Sequence, residues 1–100
     1  MKEMFVYILT NKNNTTFYTG VTSDLIRRVY EHKNKILPGF SSRYELFKLV
    51  YFEKIDGEEQ AIRREKYLKK CYSKTKIKLI NQLNPLWKEL YPELSGDSYF

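Results

Sequence analysis

The sequence is poor in the features that would place it in several large protein classes. It has a single cysteine, Cys71, which excludes an intramolecular disulfide and any cysteine-based metal site. No apolar stretch approaches the roughly 20 residues of a membrane-spanning helix. The opening Met1-Lys2-Glu3-Met4 runs straight into a short apolar segment, without the charged region and small-residue cleavage site of a signal peptide. There is no internal repeat and no low-complexity segment. Together these absences lead to the expectation of a cytoplasmic protein. A chain of 100 residues suits one domain and leaves no room for two.

What is present is an ordinary globular composition with a basic excess. The chain is 42% hydrophobic and 16% aromatic, enough for one modest core, and its 30% charged residues are unlike those of a disordered chain. The net charge of +6 points to a polyanionic partner. A solubilising surface or a membrane surface are the blander readings of the same charge.

Met4–Leu9 (MFVYIL) reads as a buried strand. Asn11-Lys12-Asn13-Asn14 is a run of turn formers, and Thr15–Thr19 is a second strand-like run stopped by Gly20, so the pair predicts a β-hairpin. Thr22-Ser23-Asp24 offers N-cap side chains to a helix over Leu25–Lys33. Asn34–Tyr44, with Pro38, Gly39, Ser41 and Ser42, reads as a loop, and Leu46–Glu53 as a third strand. Asp56-Gly57-Glu58-Glu59 resembles a capping box before a helix over Gln60–Lys70. A further helix starts at Ser73 and ends near Leu83-Asn84-Pro85. The order β-β-α-β-α-α describes an α/β (α+β) domain over residues 1–90, a small three-stranded antiparallel sheet flanked by helices, followed by a tail over 91–100.

Three polar intrusions fall on faces that periodicity makes apolar, and such violations concentrate at functional or strained sites. Leu25 and Val29 define the stripe of the first helix, and Arg28 and His32, an i, i+4 pair, lie on or beside it. Singly, a snorkelling arginine and a satisfied boundary histidine would explain them. Ala61, Ile62 and Leu68 define the stripe of the second helix, with Glu65 in its middle. A buried carboxylate must be paired, protonated or bound to a cation. Arg28 is one candidate partner, and a hydrated Mg²⁺ ion is the other. In the hairpin, a turn centred between Lys12 and Asn13 would set Tyr7 directly opposite Tyr18, on one face. Core packing is the ordinary explanation for either tyrosine. Jointly, two phenols, a guanidinium, an imidazole and a carboxylate are expected on one sheet face, a set able to handle a phosphate and a water.

These residues resemble a known family. Phe5-Val6-Tyr7, ten residues, then Tyr18-Thr19-Gly20 is similar to the paired motifs of the GIY-YIG nuclease superfamily. Asp24–His32 resembles its Arg and His helix, and Arg63-Arg64-Glu65-Lys66 its glutamate segment. Ala61–Lys70 and Asn84-Pro85-Leu86-Trp87 resemble its small single-domain bacterial branch. Phe5 and Thr19 depart from the motif letters, and that branch tolerates both. The resemblance implies a DNA endonuclease that uses one divalent ion, Mg²⁺ or Mn²⁺, in repair or recombination and selecting its substrate by structure. Tyr7 or Tyr18, with preference for Tyr7, would be the general base. Arg28 would clamp the phosphate, His32 would hydrogen-bond a phosphate oxygen or a tyrosine or relay a proton, and Glu65 would hold the metal. A phenol titrates near pH 10, and lowering that by roughly 3 units requires about 4 kcal/mol of preferential phenolate stabilisation. Lys33, Lys35, Arg43, Lys69 and Lys70 are the first candidates for DNA phosphates, with Lys74, Lys76, Lys78 and the Ser41-Ser42-Arg43-Tyr44 loop behind them. RNA stays open as a substrate. Larger relatives carry a separate recognition domain, so a partner protein for targeting stays open too. The competing readings are a nucleic-acid-binding module with a vestigial site, and a structural domain whose polar cluster is merely buried.

Overall fold

The computed structural model describes residues 1–36, 39 and 43–96. Three strands, β1 (Glu3–Thr10), β2 (Phe17–Thr22) and β3 (Lys48–Asp56), form one antiparallel sheet in the order β2-β1-β3. Helix α1 (Leu25–Lys33) lies between β2 and β3 in sequence; α2 (Glu58–Lys70), α3 (Ser73–Leu83) and a short α4 (Tyr91–Ser95) follow. The expected order of elements is the observed one up to α3.

Side chains alternate across β1, so the sheet has two cores. Tyr7 and Leu9 face α1, packing with Leu25, Val29, Leu46 and Leu49. Met4, Val6 and Ile8 face α2 and α3, packing with Ala61, Leu68, Val50, Tyr51 and Ile80. A nine-residue helix is marginal on its own. Helix α1 is held by Leu25 and Val29, each buried side chain contributing about 1.5–3 kcal/mol. Asp24 caps it, accepting a hydrogen bond from the Arg27 amide at 3.2 Å.

Four local expectations shift. The hairpin turn is centred one residue later, because Asn11 organises it. Its Oδ1 accepts from the Thr15 and Thr16 amides at 2.7 and 3.2 Å, and Asn14 takes a positive φ of 59°. The register moves by two residues, Tyr7 facing Gly20 and Leu9 facing Tyr18. A two-residue slip preserves the faces, so the two tyrosines still share one as diagonal neighbours. Gly20 does not stop β2 but lies inside it. The capping box does not form: Asp56 closes β3, and Gly57, at φ 106°, turns the chain directly into α2 with no side-chain cap. The segment expected as a tail begins with α4, whose Tyr91 and Leu94 pack against the α1 core. The loop positions Pro38, Ser41 and Ser42 lie outside the described residues.

Asn84, noted in the sequence only as part of a motif, ties three segments together. Its buried amide donates to the carbonyls of Val50 and Lys88 at 3.1 and 2.9 Å and accepts from the Lys88 amide at 3.1 Å. Glu89 does the same nearby, accepting from the amides of Leu49 at 2.7 Å and Tyr91 at 3.3 Å.

Candidate active site

Tyr7 projects from the central strand into the space under α1 and is fully buried. Its hydroxyl lies 2.9 Å from His32 Nε2. The Tyr18 ring stands 6.2 Å from that of Tyr7 and 5.1 Å from the imidazole, edge-on to the latter. Arg28, one turn before His32 on the same helix, is near enough for its positive charge to act on the Tyr7 phenol. Four of the five expected site residues therefore converge. Gly20 makes this possible: a Cβ there would fall 2.4 Å from Tyr7 Cζ and Oη, so the phenol ring lies across bare backbone.

Burial pushes the Tyr7 phenol up from its ordinary value near 10, and the neighbouring Tyr18 adds to the shift, outweighing the opposite pull of Arg28. Burial also lowers His32, and the Arg28 charge lowers it further. Both groups are thus neutral near pH 7, and they share one hydrogen bond whose direction follows the imidazole tautomer. Tyr18 is only half-buried, so it has access to solvent that Tyr7 lacks.

The His32 shift has a consequence for stability. The unfolded histidine titrates near 6.5 and the folded one lower, so the unfolded chain takes up this proton first as the pH falls. The contribution is fully present above pH 6.5 and is lost as the pH falls through the folded value. Urea denaturation at pH 7 and pH 5 is expected to show a smaller loss of stability in His32→Gln than in the parent chain. Equal losses would remove His32 as the source.

Glu65 departs from the expected single-face arrangement. It is buried beside Ala61 and Leu68 on α2, which packs on the sheet face opposite α1. Its carboxylate meets Lys69 Nζ at 2.7 Å, one turn along the same helix. Arg28 is not its partner; that guanidinium pairs with Glu31 at 3.3 Å, which also holds Arg27 at 3.4 Å. On the α2 side of the sheet, Thr19 Oγ1 is the one buried side-chain polar atom without a hydrogen-bond partner among the described residues. The described residues contain no group of three His, Cys, Asp or Glu side chains able to hold a metal. One carboxylate with a neutral hydroxyl on the same side suits a hard cation that keeps most of its water, such as Mg²⁺ or Mn²⁺, and does not suit a closed zinc site.

Glu31 is a further site residue that sequence reading passed over, although its spacing from Arg27 and Arg28 is the i, i+4 and i, i+3 of helical ion pairs. With Thr22, Ser23, Asp24, Arg27 and Arg28 it lines a polar cavity of about 90 Å³ at the start of α1.

The expected phosphate-binding cations divide. Lys33 is not available: it ion-pairs with Glu89, donates to the Phe47 carbonyl at 2.8 Å and lies 5.2 Å from the centre of the Tyr91 ring. Lys69 is engaged by Glu65. Lys35 rests over the Phe47 ring at 5.8 Å, and Arg43 and Lys70 are exposed.

Comparison with known proteins agrees with this architecture. The family model described as GIY-YIG catalytic domain matches residues 3–81. The chain is similar to a UPF0213 protein of Clostridium perfringens, 36% identical over 77 residues that cover 77% of this chain and 82% of the relative. It is also similar to a UPF0213 protein of Syntrophus aciditrophicus, 34% identical over 86 residues that cover 85% and 97% of the two chains. The solution NMR structure of a UPF0213 protein from Bacillus halodurans matches with a TM-score of 0.55 at 26% identity, covering 90% of this chain and 95% of that one. No helix among the described residues is long and apolar enough to cross a membrane.

Proposed function

The chain belongs to the GIY-YIG family, a family of nuclease domains, and from that premise we propose that it is a divalent-metal-dependent endonuclease hydrolysing DNA phosphodiester bonds. The observation that carries this reading is the convergence of Tyr7, Tyr18, Arg28 and His32 around one buried hydrogen bond.

In the proposed mechanism Tyr18 is the general base. The sequence favours Tyr7 for that role, but its raised pKa and its bond to His32 argue for a positioning role instead. The half-buried Tyr18 takes the proton of the attacking water as the water oxygen bonds to phosphorus and the bond to the leaving oxygen breaks. Arg28 exchanges Glu31 for a non-bridging phosphate oxygen and opposes the charge that grows there. His32, neutral and bonded to Tyr7, fixes the phenol and accepts or returns a proton at Nε2. Glu65 would hold the divalent ion once Lys69 gives up its carboxylate. When bound, Mg²⁺ or Mn²⁺ would supply positive charge to a phosphate that reaches Glu65.

The test is a panel of labelled single-stranded, duplex, flapped and four-way DNA at low salt, with Mg²⁺, Mn²⁺ or a chelator. Cleavage that appears with either ion and stops with the chelator supports the reading. Salt-sensitive binding with no cleavage on any substrate would replace it with a vestigial binding module. Preference for a branched substrate would support a role in repair or recombination.

A further inference from the structure

The charge of this chain is concentrated in one place. Residues 60–80 contain eight of its eighteen lysines and arginines and one of its twelve acids, so this segment is +7 in a chain of +6. The segment is α2 beyond its acidic first turn of Glu58 and Glu59, the α2–α3 corner and most of α3. Its one acid, Glu65, is buried and held by Lys69. Arg63 and Arg64 are paired with Glu59 and Glu53. Lys66, Lys70, Lys74 and Lys78 are exposed, and among the described residues no carboxylate pairs with them. Four uncompensated ammonium groups on two consecutive helices form a strong anion-attracting surface.

Two large aromatic rings stand in the same patch. Tyr72, at the corner, is 85% exposed and Tyr67, one turn before it, is 57% exposed. The Tyr67 ring is braced. The Arg64 guanidinium lies over it at 5.6 Å, and Arg64 is fixed by two hydrogen bonds to Glu53 at 2.6 and 3.2 Å. Glu53 in turn accepts from the buried Tyr51, whose phenol is pushed up to about 12 by burial and by this carboxylate. A relay of contacts from the sheet core thus holds one face of an exposed ring. A pre-ordered ring loses little freedom when something stacks on its other face.

We infer that the α2–α3 corner is a second nucleic-acid contact surface, one that grips an unpaired strand of the substrate by its phosphates and stacks its bases on Tyr67 and Tyr72. This rests on the nuclease reading above and names the substrate class: DNA with a single-stranded arm. Alternating cations and exposed rings are the chemistry of single-strand binding, because every base has a stacking face while a base pair hides it. The topology argues the same way. The corner and the Tyr7–His32 cluster lie on opposite sheet faces, separated on one side by edge strand β2. A strand that touches both must bend around a body only 28 Å across, which a single strand does and a stiff duplex resists.

The experiment is fluorescence anisotropy of a short labelled oligothymidine and of a duplex of equal length, with a chelator present so that cleavage plays no part. Tyr67→Ala/Tyr72→Ala is expected to lose about tenfold or more in oligothymidine affinity and little in duplex affinity. Lys70→Glu/Lys74→Glu is expected to weaken both ligands, with the salt slope for the single strand smaller by about 1.4. All four side chains are exposed, so thermal melting by circular dichroism should match the parent. Oligothymidine affinity unchanged in either variant would overturn the assignment. So would binding to anionic lipid vesicles that the lysine variant alone abolishes while oligothymidine binding persists. A protein that binds the oligonucleotide here and cleaves nothing overturns the catalytic reading alone; one that cleaves and ignores these substitutions overturns the corner alone.

Discussion

Glu65→Gln is expected to bind DNA as tightly as the parent chain and to cleave it about a thousandfold more slowly. The substitution keeps the volume that α2 buries against the sheet and removes only the charge. The metal's share of transition-state stabilisation is several kcal/mol, and each 1.4 kcal/mol is a factor of ten in rate. Affinity rests on the phosphate contacts of the lysines, which the substitution leaves in place. Lys69 loses its partner and, being half-exposed, turns to water. The fold is therefore expected to survive: a buried ionised carboxylate is a weak source of stability, and its neutral isostere is close to equivalent. A second readout separates the metal from the chemistry. Calorimetric titration with Mn²⁺ should give a binding isotherm for the parent and none for Glu65→Gln. Undiminished cleavage by the variant would remove Glu65 from the site. Loss of cleavage with unchanged Mn²⁺ binding would assign the metal to other residues.

The sequence exposes periodicity well and exposes mutual placement of distant elements poorly, and the site residues divide along that line. Arg28 and His32 were readable because they share a helix with Leu25 and Val29, where angle alone assigns the face. Tyr7 and Tyr18 were readable as face-mates despite a wrong turn centre, since the side-chain period of two made the register error harmless. Glu65 was readable as an intruder on an apolar stripe, but nothing in its own helix reveals which side of the sheet that helix covers. Its sequence leaves Arg28 and a metal ion open as partners, and the carboxylate meets the lysine one turn away. Lys33 illustrates the reverse case. It reads as a free cation at a helix end, and it is held by Glu89, 56 residues along the chain. Gly20 reads as a strand terminator because glycine breaks strands on average. Its real cause is the Tyr7 ring, which lies across it from the neighbouring strand.

That last contact carries the other large expected effect. Gly20→Ala should destabilise the fold by about 1–3 kcal/mol and lower cleavage about a hundredfold, while DNA binding stays close to normal. An alanine Cβ would fall 2.4 Å from Tyr7 Cζ and Oη and 2.8 Å from Cε1, all well inside contact distance. The usual escape, a swing of the ring into open space, is closed because Tyr7 is fully buried among Leu9, Leu25, Val29 and Leu49. Overpacking of this kind costs about 1–3 kcal/mol in a close-packed core. The ring must shift by about an ångström, which breaks the 2.9 Å bond to His32 and disturbs the tilted contact with the Tyr18 ring. Misplacement of that size at a reacting centre costs about a hundredfold in rate. Urea denaturation and cleavage at a temperature well below the melting transition measure the two effects separately. A double-mutant cycle with Tyr7→Leu identifies the cause: once the phenol is gone, Gly20→Ala should add little further destabilisation. A full penalty in the Tyr7→Leu background would place the clash elsewhere, and a Gly20→Ala protein as stable and active as the parent would mean that the ring does not lie across this glycine in solution.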